Sequence, residues 1–142
     1  MNNDLKNAKE MLLSESYTCV LCRGEMLFCS CERGVKPLLG WLDSDTETHG
    51  FSAADRVVGR AAAFLYVLLG VRFLYADIMS EPAREVLMAH GIEYTARQLV
   101  PAIRNRTGDG FCPMESAVRN IENPEAALAA IREKVRELSS GR

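Results

Sequence analysis

Residues 52–76 read Ser52-Ala-Ala-Asp55-Arg-Val-Val-Gly59-Arg60-Ala-Ala-Ala-Phe-Leu-Tyr66-Val-Leu-Leu69-Gly70-Val71-Arg-Phe-Leu-Tyr-Ala76. The stretch divides at Gly70. Asp55–Leu69 is apolar almost all round, which predicts a helix buried between layers rather than one lying on the surface. Ser52 with Asp55 three residues on forms a variant capping box, so the helix is expected to open at Ser52. Gly70 suits its C-terminal end. Val71–Ala76 is then apolar apart from Arg72, and is expected to be a central strand covered on both faces.

Working outward, Ser80-Glu81-Pro82 signals the start of a helix that His90-Gly91 ends. Ile92–Tyr94 reads as a short strand and Gln98–Val100 as another. On the N-terminal side, Tyr17–Cys22 and Glu25–Cys31 flank Arg23-Gly24 as a β-hairpin. Asn3–Leu13 carries Leu5, Ala8 and Leu12 at helical spacing. Pro37–Leu42 is a short apolar helix, Ser44–Gly50 a polar loop, and Asn105–Gly110 a loop by composition. Cys112-Pro113-Met114-Glu115 begins one further helix, and Asn123-Pro124-Glu125 the last. A hairpin followed by alternating helices and strands predicts an α/β fold, a three-layer α-β-α sandwich around a mixed sheet.

The chain has 142 residues, the length of one domain, so residues 1–142 are read as a single unit. It is 48% hydrophobic and 25% charged, as soluble globular domains are. Its net charge of −2 offers no basic face to neutralise phosphates, so a nucleic-acid partner is not expected. The longest apolar run, Ala61–Val71, falls short of the roughly 20 residues a membrane span needs. With no apolar signal region at Met1–Lys6, a cytoplasmic location is expected, with the five cysteines as free thiols.

Four segments together carry a family resemblance: Arg33–Leu38, Ala54–Ala63, Tyr75–Ala83 and Cys112–Glu115. Nearly the whole chain resembles a small bacterial and archaeal family of unknown function with a cytidine-deaminase-like fold. Deaminases of that fold carry a His- or Cys-Ala-Glu motif on the helix after the hairpin. Pro-Cys-x-x-Cys opens their next helix; these residues hold zinc, and the Glu moves protons. By the resemblance the second motif falls on Pro82-Ala83-Arg84-Glu85-Val86, with Ala83 and Val86 at the cysteine positions, and the first on Ala53-Ala54-Asp55. Neither stretch offers an imidazole or thiol, so no metal or other cofactor is expected. Hydrolytic deamination through an activated zinc water is not expected either.

Three groups of residues remain candidates for chemistry. Cys112 precedes Pro113 at a helix start, where the amides favour a thiolate, so it is the expected nucleophile if the protein is an enzyme. Whether it is one the sequence leaves open; free cysteine is also among the most buried residue types. Glu115, three residues on, can accept from first-turn amides, and Asn105, Arg106, Asp109 and Gly110 line the preceding loop. Asp55, Arg60, Ser80 and Glu81 lie at expected helix starts, where anions bind. Asp55 and Glu81 could serve as acid and base, against the plainer reading that each supports a helix start. Arg60 interrupts an apolar helix and needs a partner: Asp55, Glu81 or an anionic ligand.

The third group is Cys19-x-x-Cys22 with Cys29 and Cys31, which resembles a zinc knuckle. Strand alternation turns Cys19 and Cys22 to opposite faces, so small hydrophobic strand residues are the favoured reading. The functional expectation is a pocket at the former zinc end that binds a nucleotide or another phosphorylated small molecule. The alternative is a non-catalytic binding or self-association module, acting for example as a homodimer.

Overall fold

The computed structural model describes residues 3–104, 110 and 112–140. Helix α1 spans Asn3–Ser14 and buries Leu5, Ala8 and Leu12 on one stripe. Strands β1 (Cys19–Arg23) and β2 (Met26–Ser30) form the hairpin. Its turn is Gly24-Glu25, one residue later than expected, because Arg23 pairs with Met26. Gly24 has φ 60° and takes the first central position, where a type II′ turn requires glycine. Cys22 therefore opposes Leu27 rather than Glu25, and Cys29 opposes Val20 rather than Thr18.

The short helix α2 covers Lys36–Asp43. The largest departure from expectation comes next. Ser52–Val58 is a strand, β3, and the main helix α3 begins only at Arg60 and runs to Leu69. The apparent capping box of Ser52 and Asp55 is therefore no cap; both are strand residues. Local propensity loses here to pairing on both sides: β3 pairs antiparallel with β1 and parallel with β4 (Phe73–Ser80). Gly70 ends α3 with φ 77°. Helix α4 is Glu81–Ala89, capped by the Ser80 hydroxyl, which accepts from the Ala83 amide at 3.1 Å. Glu93–Val100 is one continuous strand, β5, where two short ones were expected. Helices α5 (Pro113–Ala117) and α6 (Pro124–Ser140) complete the described chain.

The sheet order is β2-β1-β3-β4-β5, with β1 antiparallel to both neighbours and β3, β4 and β5 parallel. Right-handed crossovers that advance in one direction put α3 and α4 on the same face. There α3 packs against α2, α4 and α6. On the other face α1 packs against β1, β3 and β4. Alternation sorts the strand residues between two cores. Cys19, Leu21, Ala53, Leu74 and Ala76 join the large one; Val20, Cys22, Ala54 and Tyr75 join the one under α1. Alanines at 53 and 54 keep the central strand thin, so helices approach it from both sides.

Candidate functional site

A cavity of about 290 Å³ lies where β3 runs out toward α3. This is the carboxyl edge of a parallel strand beside a change of strand direction, where open α/β sheets place ligands. Its walls include Cys19 of β1, Gly34 and Val35 before α2, and Asp55 of β3. Ala61 and Ala62 of α3 and Ile103, Cys112, Met114 and Glu115 close it.

Asp55 is the polar centre. Its Oδ2 accepts from the Tyr66 hydroxyl at 2.6 Å and its Oδ1 from the Val57 amide at 3.3 Å. Burial pushes its pKa up from 3.8 to about 7, against the lowering effect of those hydrogen bonds. The Tyr66 oxygen lies 3.0 Å from Cys19 Sγ. A tyrosine hydroxyl has one proton. When Asp55 is ionised that proton points to the carboxylate, so Cys19 donates to Tyr66. Burial pushes both the Cys19 thiol and the Tyr66 phenol well up, so both keep their protons at neutral pH. The result is a directed chain from Cys19 through Tyr66 to a carboxyl that changes charge near neutrality.

Glu115 completes a helix start. Its two carboxylate oxygens accept from the Arg60 amide at 2.7 Å and the Ala61 amide at 3.0 Å. Helix α3 gets no side-chain cap from Gly59, so Glu115 supplies one from a distant segment. The anion seat expected at a helix start is thus filled by the protein's own carboxylate.

The structure brings Asp55, Cys112 and Glu115 to one cavity. Arg60 does not pair with Asp55 or Glu81. Its guanidinium donates to the carbonyls of Val118, at 3.1 Å, and Ile121, and meets Glu122 at 3.4 Å. The reason is the later helix start, which turns Arg60 toward the α5–α6 connection. Ser80 and Glu81 do not line the cavity; Ser80 is a buried cap, and Glu81 is an exposed first-turn residue of α4. Gly110 is half-buried. Asn105, Arg106 and Asp109 lie outside the described residues.

Two participants were not anticipated. Cys19 is weighed in the sequence as a metal ligand and favoured as a small strand residue, and Tyr66 reads as part of an apolar helix. The signal for Tyr66 was its hydroxyl, which needs a partner when buried. Cys19 and Cys22 belong to different cores, as alternation implied. Among the described residues no three His, Cys, Asp or Glu side chains are placed to hold a metal ion. No described helix is long and apolar enough to cross a membrane.

The family model for DUF1893, a domain of unknown function, matches residues 7–135. The crystal structure of a DUF1893 family protein from Thermotoga maritima is similar, with a TM-score of 0.83 and 22% identity. That likeness covers 96% of this chain and 91% of the Thermotoga chain, and at this identity it shows a shared fold. No curated protein matches the sequence.

Proposed function

The chain belongs to the DUF1893 family, and from that premise we propose that it is a small-molecule-binding domain whose ligand meets Asp55. One observation carries the reading: a carboxyl pushed up to about 7 by burial lines a cavity of ligand size. Asp55 holds and exchanges a proton with the ligand. Cys112, on the wall of the same cavity, is the group that attacks if the bound molecule is electrophilic.

We also read the sheet as the deaminase-like arrangement that the motif resemblance implies. Counted by elements, the helix after the hairpin is then α2 and the next is α3. The two motif positions move to the starts of these helices, away from Ala53-Ala54-Asp55 and Pro82–Val86. What supports this is that Val35 and Ala61–Ala62, at those two starts, flank the cavity. Neither Val35-Lys36-Pro37 nor Arg60-Ala61-Ala62-Ala63 has an imidazole or thiol. The cavity would thus stand at the former zinc end without its ligands. A nucleotide would have to enter by its base, since Glu115 fills the place a phosphate would take at α3.

The test is a thermal-shift screen of nucleobases, nucleosides and small heterocycles. A ligand at a hundredfold excess over its dissociation constant adds about 2.7 kcal/mol of stability. The shift should vanish in Ala62→Phe, which fills the cavity. If no compound stabilises the wild type, or if Ala62→Phe keeps the shift, the reading is wrong.

A further inference from the structure

We infer that the ligand of the Asp55 cavity is a small cation with an apolar body, such as an amidinium or a protonated nitrogen heterocycle, held by the acceptor sites left on the Asp55 carboxylate oxygens. The inference rests on the small-molecule reading above and names the ligand's class.

The charges of the walls carry it. Among the described residues the walls carry the carboxylates of Asp55, Glu115 and the exposed Glu32, and the Glu115 charge already faces two helix amides. The Asp55 carboxylate receives the Tyr66 hydroxyl, a long bond from the Val57 amide and a contribution from the Arg56 amide, and two carboxylate oxygens can accept more than these. No ion pair to Asp55 is found among the described residues. Its neighbour Arg56 turns its guanidinium to the opposite face of the sheet. There it donates to the carbonyls of Leu12, Glu15 and Tyr17 and meets Asp77 at 3.5 Å. Arg60 is held by carbonyls, and Arg33 is exposed at the rim beside Glu32. Among the described lining residues the two guanidinium groups are thus turned away or exposed, and an anion entering this cavity would face the Asp55 and Glu115 carboxylates. A fork of two N–H donors fits two acceptor oxygens side by side. The remaining wall, Val35, Ala61, Ala62, Ile103 and Met114, is apolar and suits a ring or alkyl body.

The same arrangement makes binding depend on protons. Cys19 and Tyr66, which face Asp55 from β1 and α3, stay protonated through neutral pH. Glu115 and Cys112 face it from the α5 side, and Glu32 and Arg33 from the rim. A cation is held by the ionised carboxylate, so below pH 7 its binding expels the Asp55 proton.

Benzamidine, with neutral benzamide and anionic benzoate as shape controls, is the probe. Calorimetry on the wild-type chain at pH 6 and pH 8, in buffers of different ionisation heat, reads affinity and proton release together. Benzamidine should bind about tenfold more tightly at pH 8, with close to one proton released at pH 6. Benzamide and benzoate should bind at least roughly tenfold more weakly than benzamidine, as should benzamidine to Asp55→Asn. The proton release should persist in Cys112→Ser, which assigns it away from the thiol. PH-independent affinity, tighter binding of benzoate, or no binding of benzamidine overturns the inference. If benzamide or benzoate binds and Ala62→Phe abolishes it, the cavity reading stands and only the cationic class falls. If none of the three binds and the wider screen is silent, both fall.

Discussion

The carboxyl group of Glu115 lies where a side chain on Gly59 would have to be: a Cβ at Gly59 would fall 2.5 Å from its carboxyl carbon and Oε1. Gly59 has φ −100°, which any residue adopts, so space and not backbone conformation excludes a side chain. Gly59→Ala should therefore cost about 1–3 kcal/mol, by pushing Glu115 off the start of α3. Glu115→Ala should cost about 1–2 kcal/mol through the lost cap. The double variant should be much less unstable than the sum, because Glu115→Ala empties the space the new methyl needs. Urea denaturation of the four proteins measures the coupling. Additive costs would mean that the two residues do not share that space.

Asp55 gives a pH dependence of definite sign. Its pKa is about 7 folded and close to 3.8 unfolded, so the folded chain binds its proton more tightly. Its contribution to stability is complete below about pH 4 and is lost as pH rises through 7. The full span is on the order of 4 kcal/mol. Asp55→Asn keeps the shape and has no such titration. The stability of wild type relative to Asp55→Asn should fall between pH 4 and pH 7.5 and then level off. Denaturation at several pH values checks it; a difference that stays flat would place the Asp55 titration elsewhere.

The parts of this fold that were legible in the sequence are those that local signals decide. Leu5, Ala8 and Leu12 mark α1, Gly70 ends α3, and Ser80-Glu81-Pro82 opens α4. Strand β3 was not legible, since Ser52-Ala53-Ala54-Asp55 imitates a helix start. Its conformation comes from Cys19 of β1 and Ala76 of β4, which both pair with Asp55 from distant parts of the chain. The site followed the same division. Cys112 and Glu115 were visible as a helix start, and the structure puts both on the walls of the cavity that Asp55 lines. The Cys19–Tyr66–Asp55 chain was hidden, because only the β1–β3 pairing brings Cys19 to the cavity. Arg60 was rightly seen to need a partner, but the partners are backbone carbonyls, which no side-chain pattern reveals.

Arg60 fastens α3 to the connection between α5 and α6. Its guanidinium is the donor to the Val118 and Ile121 carbonyls, and the guanidinium carbon lies over the Phe64 ring, 5.1 Å from its centroid. Arg60→Met keeps the stem and removes the donors. The cost should be about 1–3 kcal/mol for each carbonyl that loses its partner without gaining water. The exposed Glu122 should contribute little, so Glu122→Gln should change stability by less than about 1 kcal/mol. Hydrogen exchange localises the effect: amides of α5 and of the first turn of α6 should exchange faster in Arg60→Met. Unchanged protection there would show that the connection holds itself.

Tyr66 sets how easily Asp55 ionises. Its hydroxyl donates to Asp55 Oδ2, a bond that favours the charged form and lowers the carboxyl's pKa against the upward push of burial. Tyr66→Phe removes that donor and adds no charge. The Asp55 pKa should then rise above 7, and Cys19 should lose its acceptor. Stability should fall by about 1–3 kcal/mol near neutral pH, where the carboxylate forms without its main donor, and by less at pH 5, where Asp55 is neutral in both proteins. A carbon-13 titration of the Asp55 carboxyl reads the pKa directly. A pKa in Tyr66→Phe equal to or below the wild-type value would mean that water or another donor takes the hydroxyl's place, and the polar centre of the cavity would then be wetter than its packing implies.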